Sequence, residues 1–61
     1  MARWVEYGGK GVDFDAIVAV EKGEWSDDIQ DWKAVLIHST GARIEVDAWF
    51  KGTITLLGGR A

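Results

Sequence analysis

The chain has 61 residues, 48% of them hydrophobic, with four tryptophans, neither cysteine nor proline, and a formal net charge of −3. One domain near the lower limit for independent folding is all that this length allows; disulfides are excluded, and the single histidine, His38, leaves no zinc-ligand set. No apolar run approaches the roughly 20 residues that span a bilayer, and Met1-Ala2-Arg3-Trp4 leads straight into a strand-like segment, which predicts no leader peptide and a soluble, cytoplasmic protein.

Residues Arg3 to Tyr7 form the first predicted strand, followed by a turn forced at Gly8-Gly9-Lys10-Gly11, where glycine accepts backbone angles that other residues avoid. Val12 to Phe14 reads as strand, Asp15-Ala16 as a tight bend, and Ile17 to Glu21 as strand in a new direction, the kind of bend by which a small sheet curls. In the segment from Lys22 to Asp31, Trp25, Ile29 and Trp32 have helical spacing and Ser26 is a reasonable N-cap, but the run is brief. An acidic loop hinged at Gly23, with at most one helical turn over 26–32, is the expectation.

The strongest local signal is a hairpin. Lys33 to His38 and Ala42 to Val46 flank Ser39-Thr40-Gly41, which matches a type I turn closed by a glycine bulge. The first arm is apolar on both faces, as a central strand is, and the second points Ile44 and Val46 inward. Asp47 to Lys51 reads as a corner, Thr53 to Leu57 as a threonine-rich strand, and residues 58–61 as a frayed tail. The expected fold is therefore a single all-β domain over 1–61: an antiparallel meander of four or five strands, either an SH3-like barrel or a strongly curled sheet.

The spacing Val12-x-Phe14-Asp15-x-Ile17-Val18-x-Val20, continued by Val35-x-Ile37, Gly41 and Ile44-x-Val46, resembles the short all-β domains of the flagellar FlbD-like group and related small bacterial and phage proteins. The resemblance covers about two-thirds of the chain and implies no catalytic residues. Members of that group usually end in a short helix, whereas Thr53 to Leu57 favours a strand.

Chemistry-bearing motifs are few. Ser39 adjoins His38, but neighbours on a strand point to opposite faces, so His38 is expected to bond to backbone or water at a hairpin end. Asp27, Asp28 and Asp31 lack the ligand spacing of a calcium loop and read as a solvated acidic segment. Gly8-Gly9-Lys10-Gly11 lacks the ending of a phosphate loop, although glycine amides beside a lysine can form an anion nest. Neither an enzyme nor a resident metal or cofactor is expected.

Charge is unevenly spread: residues 21–31 sum to −4 and the remainder to +1, which provides no broad basic stripe for phosphate backbones. With disulfides and metal excluded, a chain this small is left with aromatic packing and self-association to hold it. Trp32 and Trp49 flank the hairpin and are the core candidates, whereas Trp4 and Trp25, joined by Lys10 and Arg43, are the candidates for binding a partner or ligand. The expected function is a non-enzymatic, homo-oligomeric interaction module, such as a phage or mobile-element inhibitor, that binds a host protein or a small signalling ligand at subunit boundaries. The alternative is a small barrel that binds nucleic acid, stacking Trp or Tyr7 on bases and setting Arg3, Arg43 and Lys51 against phosphates.

Overall fold

A computed structural model describes residues 3–58. Five antiparallel strands form two sheets, followed by one helix. A hairpin of β1 (Trp4–Tyr7) and β2 (Lys10–Asp13) is one sheet; β3 (Ile17–Ser26), β4 (Asp31–His38) and β5 (Arg43–Trp49) are the other, with β4 in the centre. Helix α1 (Phe50–Gly58) packs against β3, β4 and β5.

The turns follow local chemistry. Tyr7 pairs with Lys10, so Gly8 and Gly9 are the two central residues of the first hairpin, and their φ values of 58° and 83° are those of a type I′ turn. The predicted bend is a 3₁₀ turn over Phe14–Ala16, capped by Asp13, whose Oδ1 accepts from the Asp15 N–H at 3.1 Å. At the β4–β5 hairpin the Gly41 N–H donates to the His38 carbonyl and Gly41 has φ 92°, which is the expected type I turn and glycine bulge.

One face of the three-stranded sheet forms the core. Ala34 and Leu36 are fully buried there with Val12, Phe14, Ile17 and Val46, and Val5, Tyr7, Val20, Ile44, Ala48 and Leu57 pack around them. The other face carries Val35 between Glu21 and Glu45. Trp32 and Trp49, expected in the core, are only half-buried at its margin. Their rings are large and end in an N–H, and they lie where one side of the ring stays wet.

The all-β expectation, with its SH3-like barrel or strongly curled sheet, is overturned by α1 and by the open sheet. The segment that was to supply a last strand is helical, and among the described residues no strand pairs with the outer edge of β3. Burial explains the change of period: Thr53 is fully buried and Leu57 half-buried, while Ile54, Thr55 and Leu56 are exposed. A strand would bury Thr55 together with Thr53 and Leu57, whereas in a helix Thr53 and Leu57, four apart, share a face that Thr55 does not. The threonine hydroxyls also bond within the helix, Thr53 Oγ1 to the Trp49 carbonyl at 2.8 Å and Thr55 Oγ1 to that of Lys51 at 3.0 Å.

The helix borrows its N-terminal cap. No acidic residue lies in its first turn. Asp31, buried at the start of β4, accepts the Lys51 N–H at Oδ2 (3.2 Å) and the Trp32 N–H at Oδ1 (2.7 Å). A carboxylate there answers both the free amides and the positive end of the helix dipole.

The acidic segment is also more ordered than a loop. β3 continues through Ser26, and only 27–30 turn, with the Gln30 N–H on the Ser26 carbonyl at 2.8 Å and Gln30 held at φ 62°. A register shift between Lys22 and Trp25 lets the strand continue past Gly23. A Cβ at Gly23 would lie 2.9 Å from the Lys33 carbonyl oxygen, so glycine permits this close crossing of β4. Gly58, placed in the expected tail, is the last helical residue, and 59–61 lie outside the described residues.

Candidate functional site

An open groove of about 670 Å³ lies on the face of the sheet opposite the core, where the tip of the β1–β2 hairpin meets β5. The hairpin is held there by the Asp47 N–H, which donates to the Gly8 carbonyl at 2.9 Å. This docking puts Gly8, Gly9 and Lys10 on one wall and Arg43 on the other, so two of the four expected binding residues share a site. Trp4 and Trp25 do not line it.

The groove is electrically mixed. Its cations are Lys10, Lys33 and Arg43, and its carboxylates are Glu24, Glu45 and Asp47. Lys33 pairs with Asp47 and also stands 4.5 Å above the Trp49 ring; Arg43 pairs with Glu21. A polyanion approaching Lys10 and Arg43 therefore meets carboxylates in the same groove, which weakens the case for nucleic acid.

The hydrogen bond from Lys33, and then its charge, hold the Asp47 carboxyl below its ordinary pKa. A carboxylate lowered in this way adds stability above its unfolded value of about 4, and that contribution is lost as pH falls through the folded value. Asp47→Asn is expected to remove it. The gap in melting temperature between wild type and variant should be small at pH 7, since the pair is exposed, and should close below about pH 4. A gap that widens on acidification would contradict the assignment.

Trp4, on β1, is the most exposed large apolar side chain among the described residues, at 69%. Trp25 lies within β3 and not in a loop, and its indole N–H donates to Asp27 Oδ1 at 2.7 Å. Its ring meets Trp32 edge-on with centroids 4.7 Å apart, and Trp32 in turn meets Phe50. Lys22 Nζ sits 4.2 Å from the Trp32 centroid, which closes a cationic lid over this aromatic row.

His38 is engaged by Thr40: the Thr40 N–H donates to Nδ1 at 3.2 Å, and the Thr40 hydroxyl lies 2.9 Å from the same nitrogen. Ser39 instead sends its N–H to the Ala16 carbonyl. Asp27, Asp28 and Asp31 do not converge; among the described residues no group of three or more acidic or imidazole side chains could hold a cation. No helix among the described residues is long and apolar enough to cross a membrane.

Sequence reasoning missed a second feature. Ile17, Val18, Ala19 and Val20 on β3 and Ile54 and Leu57 on α1 line an uncharged groove of about 240 Å³. Val18 is 66% exposed because it is the extra residue of a bulge, between Ile17 opposite His38 and Ala19 opposite Ile37. An alternating apolar pattern gives no sign of such a bulge. Compared with known proteins, the chain matches no family model, no curated protein and no solved structure.

Proposed function

We propose that the chain is a non-enzymatic interaction module that associates with itself and offers its remaining apolar surface to a protein or small-molecule partner. The observation that carries this reading is the exposure of Trp4, Val18, Trp25, Ile29, Ile54 and Leu56 in so short a chain. Apolar side chains are common singly on surfaces, but this many large ones in a small domain mark surfaces that meet something. The small core leads the same way, since a chain without disulfides gains much of its missing stability by association.

Lys10 and Arg43 give the large groove its candidate ligand contacts, and Trp4 and Trp25 are the candidate contacts for a protein partner. Native mass spectrometry of gently purified protein is expected to give a closed oligomer, with added mass where a small molecule is retained. A bare monomer across the accessible concentration range would refute self-association.

A further inference from the structure

We infer that the interface is an antiparallel pairing of β3 with β3 of a second copy, centred on Ala19 or Val20. This inference rests on the self-association proposed above and names the surface that carries it. The outer edge of β3 is unpaired among the described residues, so its backbone donors and acceptors are available to a fourth strand. Beside that edge lies the uncharged groove between β3 and α1, and Val18 projects from the edge next to it. A second copy supplies both missing parts, a strand and an exposed valine.

The register follows from symmetry and charge. A two-fold axis that joins identical edges antiparallel runs perpendicular to the sheet, so residues set opposite each other share a face. From Ala19 to Lys22 the register with β4 is unbroken, which puts Ala19 and Glu21 on one face and Val20 and Lys22 on the other. An axis between two residues would oppose different faces and is excluded. An axis at Glu21 or at Lys22 would set like charges directly opposite, which destabilises a pair. Ala19 and Val20 remain. Either axis carries the partner's strand past the bulge that exposes Val18.

The contact is short. The bulges at Val18 and at Gly23-Glu24 confine the regular edge to four residues, against the roughly 20–30 residues a side of a standard interface. A weak dimer that forms and separates rapidly is expected.

Sedimentation of the full chain over a concentration series, with Val18→Lys and Ile54→Lys, tests this directly. Wild type should dimerise reversibly, and each variant should weaken dimerisation about tenfold or more while leaving the thermal melt of the dilute monomer unchanged. A wild type that stays monomeric at millimolar concentration ends both this inference and self-association. Dimerisation as strong in Val18→Lys and Ile54→Lys as in wild type ends this inference alone. Ala19→Cys is a second measure, since the chain has no other cysteine. Residues opposed across an antiparallel pair lie within disulfide reach, so oxidation should give a covalent dimer of Ala19→Cys for an axis at Ala19, or of Val20→Cys for an axis at Val20, faster than of Trp4→Cys. Rates no faster than that of Trp4→Cys at both positions would overturn the register.

Discussion

Gly8→Ala is expected to destabilise the folded chain by roughly 3–5 kcal/mol, counting left-handed backbone strain, overpacking and one lost hydrogen bond. Gly8 has φ 58°, and a Cβ there would lie 2.6 Å from the Asp47 nitrogen and 2.7 Å from the Val46 Cβ. Neither neighbour is the free end of a flexible side chain, so the hairpin must lift from β5 and break the bond from the Asp47 N–H to the Gly8 carbonyl. Total stability for a chain of this length is roughly 3–9 kcal/mol, so the variant should be largely unfolded at 37 °C by circular dichroism. Gly9→Ala is the control. Gly9 also has positive φ, at 83°, but its Cβ would meet nothing within 4 Å, so only the backbone cost of about 1–2 kcal/mol applies. Equal losses in the two variants would show that the docked tip contributes nothing.

Thr53→Val should cost about 2 kcal/mol although it barely changes the side chain's shape, because it leaves buried polar groups unpaired. Thr53 is fully buried, and its hydroxyl gives its one proton to the Trp49 carbonyl. The Tyr7 hydroxyl, 2.6 Å from the same oxygen, is therefore the donor to it. Removing Thr53 Oγ1 strands the tyrosine hydroxyl, whereas Tyr7→Phe alone leaves Thr53 bonded to the helix and costs about 1 kcal/mol. The double variant should lose less than the sum of the two by about 1 kcal/mol in urea unfolding. Additive losses would mean that the three groups do not act as a chain.

The parts of the fold that could be read from sequence are those fixed by neighbours along the chain. Gly8-Gly9 and Ser39-Thr40-Gly41 dictate turns by their own backbone preferences, and the alternation from Arg43 to Val46 gives the inward face of β5 directly. The parts that could not be read depend on distant residues. Thr53-Ile54-Thr55 prefers extended backbone, and it becomes helical because Asp31, on another strand, holds the Lys51 N–H and because Thr53 fits under Tyr7. The strand through Trp25 was hidden because Gly23 looks like a hinge in sequence but serves as a bulge in the sheet.

The candidate site divides in the same way. Residue chemistry alone picked out Lys10 and Arg43, but only the docking of Gly8 on β5 explains why they share a groove. Trp4 and Trp25, the other two binding candidates, are exposed, and the core fills with smaller side chains around Leu36. Val18 could not be foreseen, because its exposure arises from a one-residue slip between β3 and β4.

The borrowed cap on α1 also sets an order of events during synthesis. The chain emerges from its N-terminus, so Asp31 is made well before the amide it holds at Lys51. Nine residues that include Gly52 and three β-branched side chains are too short and too poorly suited to stay helical alone. This segment therefore takes its shape from a surface already present, and it fastens the strands only after all five of them have been made.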